Sequence, residues 1–473
     1  MRLIPLAVAF TALPLISPCS VKVDFTADGG RLERALHSSG FAPALSPRPR
    51  PGTDEAELKP FGFFAARTHD WALVNAGQRV VDTHFIFPLM HLDARDPKNY
   101  VFGPTDEALR LARDMGLKIF YRLGSSIEHT EDGHHWNIVV KPDDVAQYAE
   151  ACAGIVRHYT QGWADGFRWD IPYWEIWNEP DNKHCWGDGS LNWKDPKRRA
   201  EFCRFFAFVL KRLKSEFPSL KFGGPALVRI REEWFDELIG ACAAAGVKPD
   251  FLSWHAYQHD ADDLVAQPAR MRKYLDAKGL FETKLVIDEW HFLGKLGWKG
   301  MATWATDEDR RTALEGPAGH NGIDSAAFVL NVLSRWQDTP LDQAFYYGIR
   351  RCGNWGYMDE KAHPTKVCHA LRLYGQMVNG DSRARAVPDR GTVSALAVRK
   401  GAAKRILVAD YLGTDGEIVL GVKGVAPDAQ ARVELLDWTH DLSVESARLQ
   451  DGSLTLKKAF GGSTAWMVTF DSE

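Results

Sequence analysis

Between about Phe61 and Met377 short apolar runs alternate with longer amphipathic stretches, and after Pro388 the pattern changes to brief alternating runs broken by Gly, Asp and Pro. The first regime predicts repeated strand–helix units around a parallel sheet. Strands are expected over residues 61–67, 118–123, 174–178, 221–224, 251–254, 284–288 and 344–349, with an eighth poorly marked. Helices are expected between them over 105–115, 142–159, 197–217, 231–245, 268–278 and 325–337. This spacing fits a (β/α)8 TIM barrel of the α/β class. A doubly wound open sheet is the alternative, but no glycine-rich phosphate loop follows the first strand.

The second regime, with runs at 393–398, 405–410, 418–422, 432–437, 453–457 and 465–470, predicts an accessory antiparallel β-sandwich. An early strand-like run, Val21 to Phe25, is placed to join it, ahead of a Pro-rich connector from Ser46 to Gly52. The expected organisation is a leader over 1–20, an N-terminal strand and connector over 21–60, a catalytic barrel over 61–380 and a β domain over 388–473.

Two apolar runs end in carboxylates. Trp174-Glu-Ile-Trp-Asn-Glu-Pro-Asp181 stops at a proline, which cannot donate to a sheet ladder, so Glu179 falls at the C-terminal edge of a strand. In a parallel barrel that edge gathers catalytic groups. Leu285-Val-Ile-Asp-Glu-Trp-His291 ends the same way. Strand alternation sends Asp288 and Glu289 to opposite faces, so one of them should enter the barrel, and the pattern does not say which. Glu175 shares parity with Glu179 and is a candidate buried partner for Arg67 or a neighbour. Further strand ends place His255 with Tyr257, and Arg67 with His69, on common faces. Two carboxyl groups astride one bond are what glycoside hydrolysis needs, one to protonate the leaving oxygen and one to attack or to activate water.

Composition narrows the partners. With 58 basic and 62 acidic residues the formal charge is -4, which creates no field favouring nucleic acid or an anionic membrane. The 17 tryptophans among 473 residues suit a ligand with C–H-rich faces, such as a sugar, and the segments 186–193 and 298–304 are candidate ring-stacking loops. Met1-Arg2 followed by an apolar run from Leu3 to Ile16 has the layout of a secretory leader, too short to span a bilayer, so export is expected. Cys19 after Pro18 is a poor lipidation site. The remaining six cysteines allow disulfides without requiring them. No clustered Cys/His set suggests a metal, and His134-His135 reads as part of a polar loop.

The chain resembles retaining glycoside hydrolases of clan A, closest to family 39, which contains β-xylosidases and α-L-iduronidases. The resemblance rests on Arg67-Thr-His69, Asn99-Tyr-Val-Phe102, Val156-Arg-His-Tyr159, Trp174-Glu-Ile-Trp-Asn-Glu-Pro180, Gly223-Gly-Pro-Ala226, Ser253-Trp-His-Ala-Tyr257 and Asp288-Glu-Trp290, in that order. It implies Glu179 as general acid/base, Glu289 as nucleophile, and Asn178 on the sugar 2-hydroxyl. It also implies substrate-side roles for His255, Tyr257, Arg67, His69 and Trp290. Asp288 departs from the small polar residue usual there. In that scheme Glu289 is ionised, and its charge keeps Glu179 protonated. The expected activity is an exo-acting β-xylosidase on an oligosaccharide-derived glycoside, without metal or organic cofactor. The alternatives are an arabinoside, galactoside, uronide or endo-acting polysaccharide hydrolase and, in another class, a non-catalytic carbohydrate-binding protein.

Overall fold

The computed structural model describes residues 18–40, 59–69, 71, 79–125, 141–182, 185–186, 195–295, 297–298, 307–349, 355–359, 361, 363–414, 416–459 and 461–471. The apolar leader, the Pro-rich connector, His134-His135, Trp193 and Trp304 lie outside them. Strands β2 (Ser38–Ser39), β3 (Ala65–Arg67), β4 (Lys118–Leu123), β5 (Tyr173–Ile176), β6 (Lys221–Leu227), β7 (Phe251–Gln258), β8 (Lys284–Phe292) and β9 (Gln343–Tyr346) follow β1 (Cys19–Asp28). Strands β2 to β9 close into a parallel barrel, β2 pairing with both β3 and β9.

The poorly marked eighth strand is thus the first of the barrel, and it lies within the 21–60 segment expected to serve the β domain. Two serines carry no apolar alternation, so nothing in their pattern announces a strand. The expected leader boundary at residue 20 likewise falls inside β1, where Cys19 and Ser20 pair with Ile418 and Val419.

Helices α1 (Gly103–Asp114), α2 (Val145–Thr160), α3 (Pro196–Glu216), α4 (Glu232–Ala244), α5 (Ala261–Asp276) and α6 (Ile323–Trp336) surround the barrel, and α7 (Lys366–Val378) packs beside α6. Helix α5 starts seven residues before the expected position at Pro268, because Asp260 caps it by accepting from the Asp263 amide. Pro268 removes the helical donor to the Leu264 carbonyl, and the Trp336 indole of α6 points its Nε1–H at that oxygen from 3.4 Å.

Inside the barrel the alternation builds layers. Phe120, Phe251 and Phe345 form an aromatic floor, with ring centroids 4.9 and 5.3 Å from Phe120, and Val286 and Ala65 fill it out. Two residues further along the same strands the inward positions become Arg67, Glu175, Ser253 and Asp288, all fully buried. A polar layer therefore rests on a dry apolar one, beneath the C-terminal mouth.

Strands β10 (Ser382–Pro388), β11 (Val393–Lys400), β12 (Ala403–Asp410), β13 (Glu417–Lys423), β14 (Gln430–Leu436), β15 (Asp441–Arg448), β16 (Ser453–Lys457) and β17 (Thr464–Phe470) join β1 in a nine-stranded sheet. It is antiparallel except where β1 runs parallel to β13. Four strand steps separate β17 from β1, about 19 Å in a flat sheet. Yet the rings of Phe470 and Phe25 lie 6.4 Å apart, so the sheet curls until its inner faces meet, as the expected sandwich requires. Its other face, through Leu396, Val398, Leu407 and Met467, shares the core with α6 and α7. Helix α6, covered by barrel on one side and sheet on the other, is buried almost all round.

Candidate active site

Strand β5 ends at Ile176, two residues earlier than its apolar run suggests, and Trp177 and Glu179 both take positive φ, 75° and 46°. Left-handed backbone at non-glycine residues costs on the order of 1–3 kcal/mol each and persists where neighbours over-determine it. Here the Trp177 amide donates to the Leu123 carbonyl at 2.7 Å, its indole donates to the Cys185 carbonyl at 2.6 Å, and the Glu179 amide donates to Ala226 at 2.9 Å. These bonds aim Glu179 over the mouth.

On β8 the ladder slips: Ile287 pairs with Trp254 and Glu289 with His255, leaving Asp288 as a bulged residue. Alternation is broken there, so Asp288 and Glu289 both face inward, contrary to the expectation that one would turn away. Asp288 Oδ2 lies 3.2 Å from Arg67 Nη2, and Glu289 Oε1 accepts from Arg67 Nη1 at 2.8 Å. After the bulge Trp290 points outward. It is fully buried against Trp336 and Tyr346, at 4.9 and 5.3 Å, so the residue expected on the substrate is a core residue instead.

The remaining expected residues converge. Arg67 donates through Nε to Glu175 at 2.7 Å and through Nη2 to Asn178 Oδ1 at 2.7 Å. A guanidinium can only donate, so it fixes the Asn178 amide with its oxygen inward and its Nδ2 free to face a ligand. Tyr257 donates to Glu289 Oε2 at 2.6 Å, and His69 Nε2 stands 3.5 Å from Glu289 Oε1. His255 Nδ1 is 2.9 Å from Glu179 Oε1 and 3.3 Å from Glu289 Oε2. One donor atom from each of Glu179, His255 and Glu289 lies within 4.8 Å of the others, a closeness accounted for by these shared hydrogen bonds. Glu179 is 15% exposed against 5% for Glu289, which puts the former at the mouth and the latter in the floor of the cleft.

Sequence reasoning missed several groups. Asn182 donates to Glu179 Oε2 at 2.8 Å, and Asp181 anchors the same turn by accepting from Arg231 at 2.6 Å and from the Val228 amide at 2.9 Å. Ser253 donates to Glu175 at 2.6 Å. Trp355 walls the cleft beside Tyr257 at 5.6 Å, next to Trp298 at 5.2 Å, which opens the 298–304 segment already expected to stack on a ring. Asn182 lay one residue beyond the motif, three after the acid, whereas the surroundings of Trp355 in the sequence carry no signal.

The charge distribution departs from expectation. Burial raises the Glu289 carboxyl, and His255, Arg67 and Tyr257 only partly offset it. Burial also acts on Glu179, but the His255 contact and Asn182 outweigh it and hold that carboxyl below its ordinary value. The reason is His255: burial opposes its charge, yet Glu289, Asp288 and Glu179 together raise it well above an ordinary imidazole. These directions favour a charged His255 imidazole, one hydrogen bond from Glu179, as the nearest proton donor to that carboxyl.

An eight-stranded parallel barrel with two glutamates paired across its C-terminal mouth places the chain in the class of barrel glycosidases. Within that class it belongs to glycosyl hydrolases family 39, whose profile matches residues 21–351. It is similar to a β-xylosidase of Geobacillus stearothermophilus, 28% identical over 125 residues, which are 26% of this chain and 23% of that protein. It is also similar to one of Caldicellulosiruptor saccharolyticus, 25% identical over 169 residues, 34% of this chain and 32% of that protein. The matched stretch thus spans about a quarter to a third of each curated relative. Among solved structures, a glucosidase from Croceicoccus marinus superposes with a TM-score of 0.72 at 21% identity, covering 96% of this chain and 100% of that one. A family 51 α-L-arabinofuranosidase from Bifidobacterium longum gives 0.54 at 13% identity, covering 96% and 100%. Both establish likeness of fold.

Proposed function

We propose that the chain is a retaining glycoside hydrolase that works by double displacement, with exo-acting β-xylosidase activity. The observation that carries the reading is the pairing of Glu179 and Glu289 across one imidazole, their nearest oxygens within 4.8 Å. Retaining enzymes hold their carboxyls about 5–5.5 Å apart, whereas inverting ones need about 6.5–9.5 Å to admit a water. Glu289, cradled by Arg67 and Tyr257, attacks the anomeric carbon. The proton on His255 passes across its 2.9 Å contact to Glu179, which delivers it to the departing oxygen. Once Glu289 is esterified its charge is gone, Glu179 is ionised again, and it takes a proton from the water that hydrolyses the ester. The Asn178 Nδ2 donates to the 2-hydroxyl as oxocarbenium character develops.

The β-xylosidase reading rests on the two partial matches to β-xylosidases. The near full-length likeness of fold to a glucosidase makes a glucoside the second substrate to test, and aryl xyloside and aryl glucoside compared side by side decide between them. For the mechanism, Glu179→Ala and Glu289→Ala should each lose activity on an aryl glycoside. Azide should restore turnover on an activated substrate with the original anomeric configuration in the first variant and the opposite one in the second. Full activity in either variant refutes the assignment. Export through the apolar leader belongs to the same reading and is checked by N-terminal sequencing of protein recovered outside the cytoplasm.

A further inference from the structure

Four carboxyl groups, Glu175, Glu179, Asp288 and Glu289, crowd around two cationic side chains, Arg67 and His255. With all four ionised and both cations charged, four negatives against two positives would leave two uncompensated charges above an aromatic floor. Burying unpaired charge costs several kcal/mol, and a carboxyl in that position takes up a proton instead.

The geometry identifies where one proton resides. Asp288 is fully buried, and neither of its oxygens receives a hydrogen bond from an N–H or hydroxyl donor among the described residues. Its cationic neighbours reach it only as ion pairs, Arg67 Nη2 of β3 at 3.2 Å and His255 Nε2 of β7 at 3.7 Å. From β5 the Glu175 carboxyl meets it on the same guanidinium, Glu175 Oε2 lying 2.7 Å from Arg67 Nε and Asp288 Oδ2 3.2 Å from Arg67 Nη2, and its own strand contributes Glu289. Two carboxylates offer acceptors only, so a carboxyl–carboxyl hydrogen bond exists only if one member is protonated. Glu175 is also held by the Ser253 hydroxyl of β7 at 2.6 Å and by Arg67 Nε at 2.7 Å.

We propose that Glu175 and Asp288 form a carboxyl pair sharing one proton beneath the nucleophile, with Asp288 a positioning residue whose retained charge holds Arg67 and His255 against the two glutamates above. Burial raises the Glu175 carboxyl and places the proton there. At Asp288 burial acts the same way, but Arg67 and His255 outweigh it and keep that group ionised. Regular alternation from Val286 brings Asp288 inward beside Glu175, and the bulge at Asp288 is what sets Glu289 directly above the pair instead of turning it out of the barrel. The pair carries one negative charge, and neutralising either member alone preserves it, since the other can ionise against Arg67.

The test has an arm independent of turnover. Infrared spectra of the whole protein in D2O at pH 7 should contain a protonated-carboxyl C=O band that is lost in Glu175→Gln. It should also be lost in Asp288→Asn, where Glu175 ionises. Absence of the band in the unmodified protein, or its persistence in both variants, overturns the proposal. The catalytic consequence rests on the glycosidase reading. There each single variant should keep the acid limb of kcat/KM in place, while the double variant should move it down by about one pH unit, because loss of the anion favours ionised Glu289. A single variant that moves the limb as far as the double overturns the shared proton. A protein inactive on every glycoside would defeat the glycosidase reading, while the infrared result would still decide the pair. If the double variant does not fold, the unmodified protein and Glu175→Gln decide it by the band alone.

Discussion

Replacing Tyr257 by Phe removes one atom and one hydrogen bond. The ring keeps its neighbours Trp298, Trp355 and Tyr347, at 5.2, 5.6 and 6.0 Å, so packing is preserved. What disappears is the 2.6 Å bond from the hydroxyl to Glu289 Oε2. A hydrogen bond to a charged acceptor contributes about 1.5–3 kcal/mol. It acts on the ionised form of Glu289, and each pKa unit corresponds to about 1.36 kcal/mol, so the acid limb of kcat/KM should move upward by about one to two pH units. On the falling side of that limb the variant should be about 10- to 100-fold slower than the parent, with the two profiles drawing together as pH rises. An activated aryl glycoside, whose departure needs little acid assistance, isolates the nucleophile's ionisation. An unmoved limb, or one displaced to lower pH, would refute the placement of Tyr257 on an ionised nucleophile.

Arg67→Met should destabilise the fold by about 3–5 kcal/mol at pH 8, since it leaves buried carboxylates without their cation. Those orphaned carboxyls acquire raised values in the folded state, so the deficit should shrink as pH falls toward 5, and urea unfolding at the two pH values checks both magnitude and sign. His37 and His291 are held neutral by burial, pushed down to about 4 and about 3. Each therefore contributes stability that is complete above the unfolded value near 6.5. Each loses about 1.4 kcal/mol per pH unit as the pH falls from there toward its folded value. Thermal unfolding across that window should show the decline, and His37→Gln should make it shallower.

The barrel was legible because its strands carry their signal locally. β4 falls where its apolar run predicts, and the carboxylates of both apolar runs reach the mouth, although β5 stops at Ile176 and β8 runs on to Phe292. Arg67, His69, Glu179, His255 and Tyr257 could be named from strand ends and parity, whereas Asn178 and the choice of Glu289 over Asp288 came only with the family resemblance. Parity counted from Val286 failed at Glu289 and Trp290 for one shared reason: a single bulged residue shifts every later side chain by one face, and a bulge is a property of two strands in register rather than of either sequence. The first barrel strand escaped notice because Ser38 and Ser39 are strand only by virtue of the edges of β3 and β9 on either side.

Taken alone, then, the order of apolar and polar residues determined which elements form and which chemical groups stand at their ends. It could not determine where the protons sit. That depends on distances between side chains far apart in the chain, Arg67 to Glu289, His255 to Glu179 and Glu175 to Asp288, and on how little water reaches them. Interaction between charges scales inversely with separation and with the local dielectric, and both quantities come into being only when the barrel closes.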